Sequence, residues 1–302
     1  MIPVVAVRGI RFTVYERRRI MTIIETIHAR KSCRTYDEKP IDPVKLEELR
    51  SYTESSEAPI FGAAPRFRLV GAGEEHAAAL NKSVTYGLVS GARHFIIGAV
   101  APAPKAMEDF GYCLEKRILR ATSLGLGTCI MGGTFRRGPF ADEIGLTEEE
   151  LLPAVSPVGY SRARQSMRDG LFKTIAGSAG RKPWKDMFFL GDMGAALERN
   201  DAGPYAECLE CVRLAPSALN RQPWRIIKDK RRNDFHFYLK RTPGYRIGFG
   251  KIELQNVDMG IALCHFELAA RELGLEGAWV ADEPSARPRG LEYTATWIDG
   301  GR

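Results

Sequence analysis

The feature that most constrains the fold is an internal repeat between two helix-like segments. Phe110–Leu124 and Lys251–Leu273 both have apolar residues at helical spacing, and each stops at a glycine, Gly125 or Gly274. A glycine just past the last periodic residue is typical of a helix end. The two segments match at a constant offset of 149 positions, in which Gly111, Leu114, Leu119, Ala121, Leu124, Gly125 and Leu126 correspond to Gly260, Leu263, Leu268, Ala270, Leu273, Gly274 and Leu275.

A second match lies upstream of each helix. Ala58-Pro59 corresponds to Ala215-Pro216, and the strand-like Phe67-Arg68-Leu69 corresponds to Trp224-Arg225-Ile226, at an offset of 157 positions. Amphipathic helices can resemble each other by chance, but here the turn-to-strand segments correspond as well. We therefore interpret the chain as a tandem duplication whose halves pack about a local twofold, as the subunits of a homodimer do.

The length of 302 residues fits one large domain or two of about 150 residues. Taken with the repeat, it predicts an N-terminal tail at residues 1–20, a first half at 21–187 and a second half at 188–302. Helical and strand-like segments alternate along both halves, which predicts an α+β fold with long helices packed on sheet. The remaining helices are expected from Thr22 to Arg30, from Asp42 onward and over Pro204–Leu214, and the strands over Arg66–Val70, His94–Val100, Ala154–Tyr160, Trp224–Lys228, Phe235–Lys240 and Tyr293–Ile298.

The charge balance favours small anionic ligands over nucleic acid. The formal net charge is +7, and the basic runs Arg17–Arg19 and Lys228–Arg232 are short. The second run lies between two strand-like segments, so we interpret it as a solvated hairpin turn. No apolar run approaches the ~20 residues that span a bilayer, and the arginines of the first run follow the apolar stretch, the reverse of a secretory signal. We expect a cytoplasmic protein with no membrane or nucleic-acid partner.

Six cysteines are scattered along the chain, and two of them form a C-x-x-C at Cys208 and Cys211. These two lie in a helical stretch, with no second C-x-x-C and no preceding strand. Reduced thiols are therefore the expectation, with metal or redox use as the alternative. No metal site is predicted.

Arg30, Ser32 and Arg34 alternate just after the first helix. If this stretch is extended, all three side chains point the same way. Two guanidinium groups and a hydroxyl then face one anion, an arrangement that suits a phosphate monoester. Alternating arginines are also common on surface loops, so the pattern alone leaves both interpretations open.

Two further segments carry polar or glycine-rich patterns. In Ala215–Trp224, a helix end is followed by Ser217, Asn220, Gln222 and a Pro-Trp pair that enters a strand. Asn and Gln amides can both donate and accept, as the edge of a pyrimidine-like ring requires. In Gly125–Gly133, glycines after a helix allow close backbone approach to a flat ligand. An ordinary helix end and turn is the alternative for each segment.

Together these segments resemble the nitroreductase family. The first resembles its R-x-S-x-R phosphate motif, and the second is similar to its P-S-x-x-N-x-Q-P-W motif. The third resembles its G-L-G-T-x-x-x-G-G stretch, whose backbone faces the flavin N5 edge. Gly180-Arg181-Lys182-Pro183 resembles the late basic phosphate contact of the family, at lower specificity.

The distribution of the motifs departs from that of the ordinary family, in which each subunit of a homodimer carries all of them. Here the first half lacks the Ser and Asn at Ala58–Ala63, and the second half has no R-x-S-x-R. Each half has kept a different part, so one composite flavin site is expected per chain. The resemblance is to the nitroreductases built as a fused pseudo-dimer, over about residues 21–285.

The resemblance implies non-covalent FMN, with NAD(P)H delivering hydride to flavin N5 and a quinone or nitroaromatic as acceptor. No catalytic side chain is expected, because the flavin carries the chemistry. The alternative is a flavin-binding protein with altered or lost reductase activity, and we expect a monomer or weak homo-oligomer. The implied cofactor-binding residues are Arg30, Ser32, Arg34 and Arg181 at the phosphate, Met131, Gly132 and Gly133 at N5, and Pro216, Ser217, Asn220 and Gln222 at the ring and ribityl chain.

Overall fold

The computed structural model describes residues 21–71, 85–162, 180–244, 250–284 and 288–301. The predicted tail, residues 1–20, lies outside these ranges. The α-helices are α1 (Ile23–Ala29), α2 (Pro43–Glu54), α3 (Ala106–Ser123), α4 (Arg137–Ile144), α5 (Ala206–Leu214) and α6 (Leu254–Glu272). The strands are β1 (Arg66–Gly71), β2 (His94–Ala99), β3 (Gly127–Thr128), β4 (Val155–Gly159), β5 (Phe188–Leu190), β6 (Trp224–Lys228), β7 (Phe235–Leu239), β8 (Gly277–Val280) and β9 (Glu292–Asp299).

The strands form two sheets. The first has the order β1-β2-β4-β3 and is antiparallel throughout. The second has the order β5-β6-β7-β9-β8, with β5 parallel to β6 and the other pairs antiparallel. The sheets draw their strands from opposite sides of the predicted boundary at residues 187 and 188, although the boundary itself stays a prediction.

The two longest helices, α3 and α6, lie together in the main hydrophobic core, which takes residues from both halves. Both helices are buried on nearly every side. A helix that is enclosed all round is a central element rather than a surface cover. Within the described ranges, no helix is long and apolar enough to cross a membrane.

Two glycines allow α3 and α6 to touch backbone to backbone. A Cβ at Gly111 would overlap the carbonyl oxygen of Val257, and a Cβ at Gly260 would overlap that of Glu108. Gly260 corresponds to Gly111 and Val257 to Glu108 at the same offset that aligns the two helices in the sequence. The contact therefore has the twofold character that the duplication predicts.

Most predicted elements are confirmed, and the main differences lie at helix starts. Helix α3 begins at Ala106 rather than Phe110, after Lys105 adopts a left-handed φ of 60°. Helix α6 begins at Leu254 rather than Lys251. The hairpin turn predicted at Lys228–Arg232 is present between the antiparallel strands β6 and β7. Asp229 stabilises it by accepting the backbone N–H groups of Arg231 and Arg232. Strands β3, β5 and β8 and helix α4 had not been predicted.

We expect Gly111→Ala to destabilise the chain by about 1–3 kcal/mol or more. The new Cβ would overlap the backbone carbonyl of Val257, which cannot move aside as a flexible side chain can. Gly138→Ala is the matched control, since its Cβ meets no atom within 4 Å and the residue lies in helix α4. Alanine there should be neutral or stabilise by about 0.5–1 kcal/mol. Urea denaturation measures both free energies of unfolding, and equal effects at the two positions would contradict the close helix contact.

Candidate functional site

The R-x-S-x-R segment begins where helix α1 ends. Helix α1 begins with a capping box, in which Thr22 accepts the N–H of Glu25 at 3.2 Å and Glu25 accepts that of Thr22 at 3.0 Å. The backbone N–H groups of Ile23 and Ile24 donate to Glu272 at the end of α6. Helix α1 is thus anchored on the second half before it leads into Arg30.

The glycine-rich segment lies directly beside the R-x-S-x-R segment. Ser32 and Thr128 form a parallel β-bridge, and the N–H of Cys33 donates to the carbonyl of Thr128 at 2.8 Å. Ser32 itself is exposed, and Arg34 is half-buried. Two of the predicted motifs are therefore neighbours in space, although about 95 residues separate them in the chain.

The glycine-rich segment continues across the start of helix α6. Met131 is buried and bridges Val155, whereas Gly133 is exposed. A Cβ at Gly132 would overlap the side chain of Leu254, so a larger residue would push this segment away from α6.

Arg30 is a half-buried cation whose Nε atom is fully buried. Its Nε atom has no hydrogen-bond partner among the described residues. Burial lowers the pKa of its guanidinium, while the nearby charge of Glu115 acts in the opposite direction. Glu115 in turn forms a hydrogen bond with His265, in which Glu115 Oε1 and His265 Nε2 are 2.8 Å apart. Both side chains are fully buried. His265 also contacts the carbonyl of Cys211 through Nδ1, so both of its ring nitrogens are engaged, as expected for a structural histidine.

Arg181 connects the first half to the P-S-x-x-N loop. Its Nη1 donates to Asn220 Oδ1 and its Nη2 to the Leu214 carbonyl, both at 2.7 Å. Burial, together with the positive charges of Arg30 and Arg213, lowers the pKa of Arg181 to about 10. Arg30, Arg181 and Asn220, which are far apart in sequence, are therefore brought into one region.

The loop that carries Ser217, Asn220 and Gln222 has an unusual backbone. Leu219, Asn220 and Gln222 adopt φ values of 49°, 52° and 47°, a left-handed conformation that non-glycine residues rarely adopt. Such outliers persist where the surroundings hold them, and they cluster at functional sites. Ser217 contributes by accepting the N–H of Gln222 at 2.8 Å.

Gln222 uses its amide within the protein. Its Oε1 accepts the N–H of Lys182 at 2.7 Å, and its Nε2 donates to the carbonyl of Asn220 at 3.0 Å. The side chain is 2% exposed. Asn220 donates through Nδ2 to the Gly180 carbonyl at 2.8 Å. These amides therefore fix the loop against residues 180–182 and hold Arg181 in place.

Two aspartates that the motif comparison did not single out hold the corresponding turns of the two halves. Asp109 on α3 accepts the N–H groups of Ile60, Phe61 and Ala63 at 2.8–2.9 Å. Asp258 on α6, which lies at the same 149-residue offset, accepts from a single backbone group among the described residues, the N–H of Ala218, at 2.9 Å. The shared acidic residue within the repeat was the sequence signal that could have revealed this pair.

The two aspartates differ at the second carboxyl oxygen. In Asp109, this oxygen accepts the N–H of Ala63. In Asp258, Oδ2 is buried and has no hydrogen-bond partner in the described part of the chain. Burial raises the pKa of Asp258 to about 8, although the Ala218 N–H favours the ionised form. The carboxyl group is therefore mostly protonated at neutral pH.

Buried polar atoms usually have partners, so those that lack one leave room for a further partner such as water, an ion or a ligand. Several of them belong to the motif segments or adjoin them. Within the described ranges, four such atoms lie in or beside the motif segments: Arg30 Nε, Thr128 Oγ1, Trp224 Nε1 and Asp258 Oδ2.

Asp258→Asn should change the pH dependence of stability. Because the folded pKa is raised, the carboxyl stabilises the fold fully below about pH 4, and this contribution is lost as pH rises through about 8. Between these limits, the free energy of unfolding falls by at most about 1.4 kcal/mol per pH unit. The neutral amide has no such slope, so from about pH 6 to about pH 8.5 the wild type should lose at least about 1 kcal/mol relative to the variant.

Urea denaturation at the two pH values measures this difference. Asp201→Asn is the control, since Asp201 is exposed. The raised pKa would be refuted if the free-energy difference between wild type and Asp258→Asn were the same at both pH values.

This chain is similar to nitroreductases both in its sequence profile and in its fold. A family profile described as "Putative TM nitroreductase" matches residues 22–270. A "putative nitroreductase" from Thermotoga maritima superposes with a TM-score of 0.60 at 21% sequence identity, covering 95% of this chain and 97% of that chain.

Two other solved structures match about half of this chain. A nitroreductase family protein from Clostridium difficile has a TM-score of 0.39 at 19% identity, covering 51% of this chain and 92% of that chain. A nitroreductase with bound FMN from Bacteroides fragilis has a TM-score of 0.37 at 23% identity, covering 48% of this chain and 90% of that chain. No curated protein matches the chain.

The superposition on the Thermotoga maritima protein confirms the predicted nitroreductase-like α+β fold with two diverged tandem halves. The profile covers most of the sequence, including the R-x-S-x-R segment, the glycine-rich segment and the P-S-x-x-N loop. This chain belongs to the nitroreductase family that the profile describes.

Proposed function

We propose that the chain is an FMN-dependent oxidoreductase with one composite flavin site. The observation that carries this proposal is the position of Arg181, hydrogen-bonded to Asn220 of the second half and close enough to Arg30 of the first half for their charges to interact. Both arginines are half-buried, and two neighbouring, partly desolvated cations favour an anionic partner. The phosphate of FMN is such a partner, and the Bacteroides fragilis structure contains this cofactor.

The residues present fit a flavin phosphate at this place. Arg30 is half-buried, with a buried Nε that has no partner among the described residues, and Arg181 is held by Asn220. Ser32 is exposed and half-buried Arg34 follows it, so both can contribute to the same anion. Guanidinium groups bind phosphate oxygens through paired, charge-assisted hydrogen bonds.

The ring and its N5 edge are assigned to the two remaining segments. Pro216 and Ser217, with Asn220 and Gln222, form the rigid loop that we propose faces the isoalloxazine and ribityl chain. Met131, Gly132 and Gly133 offer backbone groups on the N5 side. The unpartnered Oδ2 of Asp258, next to this loop, supports a polar ligand here.

When bound, FMN supplies hydride acceptance from NAD(P)H at N5 and electron transfer to a small acceptor such as a quinone or nitroaromatic. The chain's task is to bind and orient the cofactor and to exclude water from its ring. No side-chain acid or base is required for this. We further propose that the protein acts in the cytoplasm as a monomer or weak homo-oligomer.

Titration with FMN tests the composite site. We expect one FMN per chain, because only one combination of the motifs is complete. Arg34→Ala and Asn220→Ala should each weaken FMN binding about tenfold or more, since a charge-assisted hydrogen bond contributes about 1.5–3 kcal/mol and tenfold corresponds to 1.4 kcal/mol. Asn220→Ala acts by releasing Arg181.

Arg231→Ala removes one positive charge from the exposed hairpin turn and is the matched control for overall charge. It should leave the dissociation constant of FMN within about twofold of wild type. Two FMN per chain, or an Asn220→Ala variant with wild-type affinity, would show that the site is not shared between the halves.

Anaerobic reduction tests turnover separately from binding. The flavin absorbance of the FMN-loaded protein should bleach on addition of NADH or NADPH and return with a quinone acceptor. Tight FMN binding without bleaching would instead support the alternative, a flavin-binding protein that has lost reductase activity. A protein that takes up no FMN would contradict both.

A further inference from the structure

Three potential metal ligands meet where α1 of the first half packs against α5 of the second. His28 is in the last turn of α1, and Glu207 and Cys211 are one turn apart on α5, so their side chains share a helix face. The distance between His28 Nε2 and Glu207 Oε1 is 2.8 Å. The imidazole nitrogen, the carboxylate oxygen and the Cys211 sulfur all lie within 4.8 Å of one another.

This cluster is separate from the proposed flavin contacts. None of its residues belongs to the R-x-S-x-R, glycine-rich or P-S-x-x-N segments. Within the described ranges, no other group of three or more His, Cys, Asp or Glu residues has ligand atoms so close together. The C-x-x-C of the sequence contributes one thiol to it, Cys211, and the ligand set spans both halves.

The combination of nitrogen, oxygen and sulfur donors is one that Zn²⁺ takes in proteins. Tetrahedral bonds of about 2.0–2.3 Å place ligand atoms roughly 3.3–3.8 Å apart. To reach these values, the His28 and Glu207 ligand atoms, now 2.8 Å apart, would separate slightly, and the ligand-atom distances that approach 4.8 Å would shorten. These two side chains can move, since His28 is 46% and Glu207 40% exposed, while buried Cys211 supplies a fixed point.

The surroundings favour a cation. The pKa of the Cys211 thiol is raised, chiefly by burial and further by the negative charges of Glu207, Glu210 and Glu272, which a bound cation would offset. Glu210 is paired with Arg199 and Arg213, which offsets part of this negative charge. Glu272 accepts backbone N–H groups of α1. Solvent on the exposed side can provide a fourth ligand.

We propose that the chain binds one Zn²⁺ ion through His28 Nε2, a Glu207 carboxylate oxygen and the Cys211 sulfur. On binding, a sulfur–zinc bond replaces the S–H bond and the thiol proton passes to solvent, with no change in oxidation state. The ion joins α1 to α5 and so connects the two halves two residues before Arg30. This proposal does not depend on the flavin function.

Titration with Co²⁺ tests the site directly, because a thiolate ligand produces a sulfur-to-cobalt charge-transfer band. The full-length chain is treated with EDTA, dialysed, and titrated in difference mode with and without bound FMN. We expect the band to saturate at one Co²⁺ per chain and to disappear when Zn²⁺ is added. The same result with and without FMN keeps this test independent of the proposed function.

Cys211→Ser should remove the band, whereas Cys208→Ser, a matched control in the same helix and the same C-x-x-C, should retain it. His28→Gln and Glu207→Gln alter exposed side chains, and each should weaken Co²⁺ binding at least about tenfold without unfolding the chain. A wild-type chain with no band would show that His28 and Glu207 form only a surface ion pair. A band that survives Cys211→Ser, or wild-type affinity in His28→Gln, would equally overturn the proposal.

Discussion

The close contact between α3 and α6 is the constraint on which the rest of the structure depends. Because Gly111 and Gly260 have no side chains, each helix backbone lies against a carbonyl of the other. This contact sets how the two halves face each other. It consequently brings the end of α1, the glycine-rich segment and the P-S-x-x-N loop into one region. Helix α6 itself carries Glu272, which holds the start of α1, and Asp258, which holds the P-S-x-x-N loop.

The same helices carry the acids that shape the site. Asp109 and Asp258 occupy equivalent places and hold equivalent turns, but among the described residues Asp109 accepts three backbone N–H groups and Asp258 accepts one. The second-half turn has a left-handed backbone at Leu219 and Asn220, and the N–H of Asn220 donates to the carbonyl of Ser217 instead. The turn that carries the P-S-x-x-N motif is thus the one whose aspartate has an oxygen without a partner in the described part of the chain.

Much of the architecture could be predicted from the sequence because helix ends and apolar spacing are local signals. The repeat revealed the paired helices, and three motif segments indicated the site region. Short strands such as Gly277–Val280 were missed because they form through pairing with β9 and carry no alternation of their own. The contact between Arg181 and Asn220 and the position of Cys211 beside His28 depend on packing between the halves, which no local pattern encodes.

The tandem arrangement also changes how this chain can evolve. In a homodimer every substitution appears in both copies of a site, so a change that improves one must be tolerated by the other. Here Ala63 and Asn220 are separate positions and can vary independently. The covalent connection also makes the association of the halves independent of protein concentration. Asymmetry of the kind seen between Asp109 and Asp258 is therefore available to this chain and closed to a symmetric pair of identical subunits.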